Sequence, residues 1–153
     1  MAQRPTFNQA WAAFSRVNGS VPHVGRIIGG KVQTNIDGGI FTNACAIRMS
    51  YVLNQTSLPV PASAGAVSSG ANGAKYLFRA SDLAPHLQNL FGKPDLVVQN
   101  PTPTSFAGKK GIIVFDVDVW NDASGHVTLW NGTMCADSCY FPVSTRAKLW
   151  ELN

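Results

Sequence analysis

The spacing of apolar residues changes along the chain, and this change restricts the possible folds strongly. Up to Phe91 the apolar residues recur at helical spacing in separate segments, whereas after Gly111 they follow the patterns of β-strands. Charged residues make up only 13 % of the sequence, against about 25 % in a typical domain. Such a surface favours loops and sheet over long solvated helices. We predict an α+β fold with residues 1–153 as a single domain, a length that suffices for one hydrophobic core.

The segments with helical spacing are separated by stretches of irregular composition. Gly, Asn and Pro interrupt residues 19–39 and predict an irregular approach to the second helix. Residues 57–74 are rich in Pro, Ala, Ser and Gly and predict an ordered surface loop. The predicted helices are residues 7–17, a segment that starts after Asn43 and stops at Asn54, and a segment capped by Ser81 or Asp82 that ends before Gly92.

The last third of the chain reads as strands. They are predicted at residues 111–119, 126–130 and 146–152. Asn131-Gly132 directly follows the second strand and is a strong hairpin signal. A two-residue turn there would pair Trp130 with Thr133 and place position 137 opposite His126.

Cys45 lies in the first turn of the second predicted helix, behind Asn43 as a natural N-cap. The unpaired N–H groups and the dipole of a helix N-terminus stabilise a thiolate. The same N–H groups can receive the oxyanion that forms when a carbonyl is attacked. Free cysteines are more often small buried core residues, so Cys45 by itself does not indicate catalysis.

His126 supplies the second candidate for catalysis. It follows Gly125 at the start of a predicted strand, from which a side chain can reach a helix terminus packed at that end of the sheet. His126 is therefore the candidate general base. His23, in a loop, and His86, on the polar side of its helix, are predicted to be solvated surface residues.

The cysteines predict one disulfide and one free thiol. Cys135 and Cys139 are close in sequence, whereas Cys45 stands alone. Because bridged Cα atoms lie within roughly 7 Å of each other, a bridge requires a tight turn between Cys135 and Cys139. No second close pair of Cys or His completes four zinc ligands, so neither a metal nor a cofactor is expected. A disulfide also indicates an oxidising compartment.

The N-terminus and the charge distribution limit the possible routes of export and the possible binding partners. Residues 1–11 contain no apolar signal-peptide core, and no segment approaches the roughly 18 apolar residues of a membrane span. We therefore expect export without a Sec signal and no membrane insertion. The net charge is +4, but Lys109-Lys110 is the only adjacent basic pair. This dispersed charge suits a polyanion such as a cell wall but is a weak signal for nucleic acid, so no nucleic-acid partner is expected.

The sequence around these residues resembles a known family. Asn-Ala-Cys-Ala-Ile-Arg-Met-Ser-Tyr-Val-Leu-Asn at 43–54, Gly-His-Val-Thr-Leu-Trp-Asn-Gly at 125–132 and Cys-Ala-Asp-Ser-Cys at 135–139 together resemble the fourth family of type VI secretion amidase effectors. Spacing and length agree across essentially the whole chain. The resemblance implies a papain-like, NlpC-type domain in which the nucleophile helix packs on an antiparallel sheet. It also implies that Cys45 is the nucleophile, His126 the base and Asp137 the residue that orients the imidazole.

The same resemblance implies an antibacterial cell-wall toxin. Its members are DL-endopeptidases that cut peptidoglycan stem peptides between D-glutamate and meso-diaminopimelate. They are made in the donor cytoplasm, delivered by the secretion apparatus into a rival's periplasm, and neutralised by a cognate periplasmic immunity protein. Asp137 departs from most NlpC-like enzymes, in which the third polar residue is often His. The paired cysteines of papain are absent, so broader papain specificities are not expected.

Two other functions fit the residues. Another papain-like wall enzyme, such as a muramoyl-alanine amidase, would use the same dyad on a different bond, and product masses separate the two. A non-catalytic wall-binding module would use Cys45 as a core residue and His126 as a strand end. In that case the thiol would be inert to alkylation under native conditions.

Overall fold

The computed structural model describes residues 1–118 and 125–153. The α-helices lie before residue 92, and the strands of the main sheet follow them. The helices are α1 (Phe7–Val17), α2 (Val21–Ile28), α3 (Gly30–Asp37), α4 (Cys45–Gln55) and α5 (Ala80–Phe91). The strands are β1 (Val67–Ser69), β2 (Lys75–Leu77), β3 (Leu96–Gln99), β4 (Gly111–Asp116), β5 (Gly125–Trp130) and β6 (Arg146–Glu151). Short 3₁₀ helices lie at Ala62–Ala64, Pro103–Phe106 and Phe141–Val143.

The main sheet contains four antiparallel strands in the order β3-β6-β4-β5. A separate hairpin pairs β1 with β2. In the main sheet β5 is an edge strand, and its register places Phe115 of β4 opposite His126. His126 therefore lies one residue from the start of an edge strand, where its side chain is not confined between two neighbouring strands.

Both faces of the sheet are buried, and each face packs against a different cluster of residues. Ile112 and Val114 of β4 join the large core that also contains the helices, whereas Ile113 and Phe115 join a smaller cluster under the 3₁₀ helices that contain Phe106 and Phe141. Alternate residues of one strand thus enter separate cores, as the pleat requires. α4 packs against β5 and is buried along most of its length. The predicted α+β fold, with the Cys45 helix on an antiparallel sheet, is confirmed.

The prediction of an irregular segment at 19–39 was wrong, because this segment forms α2 and α3. Ser20 caps α2 by accepting a hydrogen bond from the His23 backbone N–H. Gly29 then adopts a φ of 70°, which turns the chain from α2 into α3. The Gly and Pro residues mark the ends of two short helices. The buried apolar residues Val24, Ile28, Val32 and Ile36 recur at intervals of four, the helical spacing that identifies both.

Several predicted boundaries also differ from the structure. The strand predicted to reach Val119 ends at Asp116, and Val119 lies outside the described residues. The loop predicted at 57–74 contains β1 and a 3₁₀ helix. The N-cap of α4 is Ala44 rather than Asn43.

The turn after β5 is longer than the predicted two-residue turn. The Asn131 N–H donates to the Met134 carbonyl at 3.0 Å, and Trp130 pairs with Cys135. Asn131 explains the difference, because its side-chain oxygen accepts hydrogen bonds from the backbone N–H groups of Thr133 (2.9 Å) and Met134 (2.8 Å). An asparagine that bonds its own downstream backbone favours this wider turn.

Candidate active site

Cys45 is the first residue of α4 and carries the free thiol. It is buried together with Met49, Val52 and Leu53, which share its face of the helix. The side-chain oxygen of Asn43 accepts a hydrogen bond from the Cys45 N–H at 3.0 Å. An oxyanion at this helix start can therefore use the Cys45 N–H only if Asn43 releases it.

The segment before Cys45 is held by aromatic packing and backbone hydrogen bonds. The ring of Phe41 is buried and stacks on Phe78, with centroids 4.5 Å apart. The N–H groups of Ile40 and Phe41 both donate to the carbonyl of Asn35 at the end of α3. These contacts fix the path of the chain into α4, and so the position of the thiol.

His126 is placed by the close approach of β4 and β5. A Cβ at Gly125 would lie 2.3 Å from the Phe115 carbonyl oxygen, so only glycine fits beside His126 at this spacing. The imidazole is 6 % exposed. The ring of Tyr140 packs edge-on against it, with centroids 4.7 Å apart. The histidine is thus restrained by its strand and by an aromatic neighbour.

Asp137 reaches His126 from the loop that follows the hairpin. Nε2 of His126 lies 3.1 Å from both oxygens of the Asp137 carboxylate. The loop is closed by the Cys135–Cys139 disulfide, with Cα atoms 5.5 Å apart, and this bridge confirms the predicted pairing. The Ala136 N–H donates to the Leu129 carbonyl at 2.8 Å and fastens the start of the loop to β5.

The pKa values of the buried pair are shifted in opposite directions. Burial lowers the pKa of His126, but hydrogen bonds and charge from Asp137 and Cys45 outweigh burial and raise this pKa from 6.5 to about 9. Burial raises the pKa of the Asp137 carboxyl, and the hydrogen bond and positive charge of His126 reverse this and lower it. The arrangement therefore favours an imidazolium beside a carboxylate.

The order of contacts suits nucleophilic catalysis by a thiolate. Because Asp137 occupies Nε2 of His126, Nδ1 is the ring nitrogen left for Cys45, which lies close enough to the imidazole to help raise its pKa. A proton that moves from the thiol to Nδ1 leaves a thiolate at the start of α4. The structure thus brings together Cys45, His126 and Asp137. Within residues 1–118 and 125–153, no group of three or more His, Cys, Asp or Glu side chains could hold a metal ion.

Two neighbours of this site were not identified from the sequence. The Thr128 hydroxyl is buried close enough to Asp137 to help lower its pKa, although it lies outside regular hydrogen-bond geometry. Strand alternation could have identified it, because residues 126 and 128 share a face. Tyr140 has no such signal, since its approach to His126 depends on the shape of the disulfide loop.

The prediction that His86 is a solvated residue was wrong. It is 6 % exposed on the inner face of α5, beside Leu83 and Leu87. Burial lowers its pKa. His23 is partly exposed at the start of α2, with Nε2 3.1 Å from the Arg16 carbonyl oxygen.

The α-helices of the structure contain between 8 and 12 residues each. Over the described ranges, none is both long enough and apolar enough to cross a bilayer.

Comparison with known proteins gives the same assignment by sequence and by structure. Residues 41–150 match the family described as type VI secretion system (T6SS), amidase effector protein 4. No curated protein matches the chain. Among solved structures, the chain is similar to the type VI effector-immunity complex Tae4-Tai4 from Enterobacter cloacae, with 49 % identity, a TM-score of 0.96, and coverage of 99 % of this chain and 100 % of that one.

Two further structures agree with this match. The effector Tae4 from Enterobacter cloacae is 50 % identical, with a TM-score of 0.95 and full coverage of both chains. The Tae4-Tai4 complex from Salmonella Typhimurium is also 50 % identical, with a TM-score of 0.94, and the match covers 99 % of this chain and 100 % of that one. The family model and these full-length matches show that the chain belongs to the type VI secretion system amidase effector protein 4 family.

Proposed function

We propose that this effector is a cysteine DL-endopeptidase that hydrolyses the bond between D-glutamate and meso-diaminopimelate in peptidoglycan stem peptides. Residues 1–153 would act as one domain, with Cys45 as nucleophile, His126 as general base and acid, and Asp137 as the orienting residue. The observation that carries this proposal is the position of the His126 imidazole, which is bonded to the Asp137 carboxylate and lies close enough to the Cys45 thiol for it to help raise the pKa of the ring. The alternative enzyme, a muramoyl-alanine amidase, would use the same residues and differ only in which bond is cleaved.

The first half of the proposed reaction forms an acyl-enzyme. The Cys45 thiolate attacks the γ-carbonyl carbon of D-glutamate, and the C=O electron pair moves onto the oxygen of a tetrahedral intermediate. The C–N bond then breaks, and the proton on His126 goes to the departing amine of diaminopimelate. Asp137 stabilises the imidazolium before this transfer and holds the ring in one orientation. The glutamyl group is left on Cys45 as a thioester.

The second half returns the enzyme to its starting state. Neutral His126 takes a proton from water as the water oxygen attacks the thioester carbonyl. When the intermediate collapses, the C–S bond breaks and releases a free glutamate carboxylate. The thiolate and the imidazolium are restored together. Water supplies the added atoms, so the reaction needs neither oxidant nor cofactor.

The choice of bond and the biological setting rest on family membership. The family is one of type VI amidase effectors, and its solved members include complexes with the immunity protein Tai4. We infer that this chain is delivered from a donor cytoplasm to a rival's periplasm and is blocked there by a cognate immunity protein. The net charge of +4 suits encounter with an anionic wall.

The proposed nucleophile can be tested with purified peptidoglycan. The wild-type protein should release new amino groups, and Cys45→Ala should release none while keeping its melting temperature. Native alkylation followed by peptide mapping should label Cys45 and abolish turnover. Replacement of the exposed Ser15 by Ala is the matched control and should leave activity unchanged. Undiminished turnover by Cys45→Ala would exclude the mechanism, and an inert thiol with no turnover would favour the wall-binding module.

A further inference from the structure

The turn between α1 and α2 is fastened to the helix that begins with Cys45. Arg48 lies one turn into α4 and donates from Nε to the Val17 carbonyl at 3.0 Å and from a terminal nitrogen to the Gly19 carbonyl at 2.6 Å. These two carbonyls flank Asn18. The planar guanidinium therefore fixes the backbone on both sides of Asn18 at once, which a lysine ammonium on a flexible stem does less well.

The Asn18 side chain continues this connection to the loop that carries Asp137. Its amide nitrogen donates to the Ala136 carbonyl at 2.8 Å, and the contact joins residues far apart in the sequence. Asp137 is the next residue along the chain. A path of hydrogen bonds thus leads from α4, which carries the thiol, through Arg48 and Asn18 to the residue that precedes the orienting carboxylate.

The disulfide and the backbone hydrogen bond of this loop do not join it directly to a helix. The Cys135–Cys139 disulfide joins two residues of the loop itself, so it fixes the internal shape of the loop. The Ala136 N–H to Leu129 carbonyl bond fastens the loop to β5. Since α4 packs on β5, this bond restrains the loop relative to Cys45 only indirectly, and Ala136 also packs against the core that contains the helices. The Asn18 contact adds a directed hydrogen bond between the loop and the helical layer.

We propose that Asn18 and Arg48 are positioning residues that hold the Asp137 loop in register with the Cys45 helix. This inference rests on the proposed function, because it assigns the two residues to the geometry of that site. Neither residue contacts the reacting atoms, and each acts through the backbone of another residue. The exposed Asn18 amide contributes through orientation rather than through stability.

The first test measures the imidazole directly and does not require activity. Asp137, Cys45 and the Tyr140 ring face His126. The NMR titration midpoint of the His126 ring protons should fall from about 9 toward 6.5 in Asn18→Ala, because a displaced carboxylate stabilises the imidazolium less. Asn72→Ala is the matched control, since it also removes an exposed asparagine that bonds a nearby backbone group. A wild-type midpoint in Asn18→Ala would overturn the proposal.

The second test uses turnover and coupling. Asn18→Ala should lower kcat on peptidoglycan by roughly 10- to 100-fold with little change in KM, the scale expected for misplaced catalytic groups. Arg48→Lys keeps the charge and should lower kcat in the same sense. The double variant should be no worse than the more impaired single variant, because both changes interrupt one connection. If the kcat losses of the two single variants multiplied in full in the double variant, the shared path would be contradicted.

The two tests also separate this inference from the proposed function. An inactive wild-type protein whose His126 midpoint still falls in Asn18→Ala would retain the positioning role and reject the peptidase. If the wild-type protein is active but Asn18→Ala has unchanged kinetics and an unchanged His126 midpoint, the positioning role is rejected and the peptidase is retained.

Discussion

At the scale of single residues, the proposed chemistry depends on how the two ring nitrogens of His126 are partnered. Asp137 lies at Nε2, which leaves Nδ1 for Cys45. A carboxylate on one nitrogen fixes the tautomer and stabilises the imidazolium. In the proposed mechanism the ring is protonated, so the proton needed by the leaving amine is already in place when the thiolate attacks.

Replacing Asp137 by Asn should keep the fold and lower kcat by roughly 10- to 10,000-fold, because both orientation and charge stabilisation are lost. The measurement is steady-state release of amino groups from peptidoglycan. Asp82→Asn is a matched control, since it removes a carboxylate that accepts from the Ala66 backbone N–H. Equal kcat values for Asp137→Asn and the wild type would remove Asp137 from the site.

The raised pKa of His126 predicts the alkaline limit of activity. kcat/KM should hold through neutral pH and decrease as the pH rises through about 9, where the imidazolium loses its proton. The raised pKa also means that the folded protein binds this proton more tightly than the unfolded chain does. The resulting stabilisation is therefore fully present below pH 6.5 and is lost as the pH rises through about 9. In Asp137→Asn the alkaline limit should move to lower pH. A limit that stays in place would show that Asp137 does not set it.

The proximity of Asp137 to His126 could be predicted from the sequence, but the register used to predict it was wrong. A two-residue turn would pair Trp130 with Thr133, whereas the structure pairs Trp130 with Cys135. The shift is an even number of residues, so it preserves which side chains share a face. The sequence did not reveal the final approach of Asp137, because that depends on a loop shaped by the disulfide.

At the scale of structural elements, the loop between Cys135 and Cys139 is short and closed by a covalent bond. A ring of so few residues removes only about 2 kcal/mol of chain entropy from the unfolded state. Asp137 lies within this ring, and its carboxylate extends from it to His126. The bridge should therefore matter more for orienting the carboxylate than for stability.

Replacing both Cys135 and Cys139 by Ser tests this division. The free energy of unfolding should fall by about 2 kcal/mol or less, while kcat should fall in the same direction as in Asp137→Asn. Denaturant unfolding and peptidoglycan turnover measure the two effects. Mass spectrometry of the oxidised wild-type protein must show one free thiol. Full activity in the double serine variant would show that the loop holds Asp137 without the bridge.

The docking of the small hairpin on α4 gives a second prediction for the elements. The Ser50 hydroxyl is fully buried, accepts from the Leu77 N–H at 2.9 Å and contacts the Leu77 carbonyl at 3.4 Å. Ser50→Ala should lower the free energy of unfolding by about 1–3 kcal/mol, because it leaves a buried N–H without its acceptor. Ser15→Ala, at an exposed site on α1, serves as the comparison in chemical denaturation. Equal stabilities would show that the Leu77 N–H finds another partner.

The elements differ in how readily the sequence reveals them. α1, α4 and α5 were predicted from apolar spacing over eleven or twelve residues. α2 and α3 have eight residues each and are bounded by Gly29 and Gly30, so the glycines obscured the spacing of the apolar residues. The N-cap of α4 was missed by one residue, because Asn43 bonds the Cys45 N–H without being the cap itself.

At the scale of the whole molecule, the candidate site lies where the helical layer meets one edge of the sheet. Cys45 begins the helix that packs on β5, and His126 lies near the start of that edge strand. The large core fixes the helix, and the smaller cluster on the opposite face fixes the far side of the sheet. The proposed nucleophile and base thus come from separate layers, each held by its own packing.

The proposed cleavage of peptidoglycan predicts that the protein is toxic in the periplasm alone. Directed to the periplasm of a susceptible Gram-negative host, the wild-type protein should lyse the cells, and Cys45→Ala should be harmless at equal expression. Cytoplasmic expression without a signal sequence is the matched control, because peptidoglycan lies outside that compartment. Co-expression of the cognate immunity protein should restore growth. Survival of the periplasmic wild type without such a partner would argue against a wall toxin.

The identity of the cleaved bond tests the account most directly. Muropeptides with a defined tetrapeptide stem can be digested with the wild-type protein and Cys45→Ala, and the products identified by mass spectrometry. We expect the wild type to yield a fragment that ends in D-glutamate and a peptide that begins with meso-diaminopimelate, and Cys45→Ala to yield neither. Release of an intact stem from muramic acid, or the same products from Cys45→Ala, would contradict the assignment of a cysteine DL-endopeptidase.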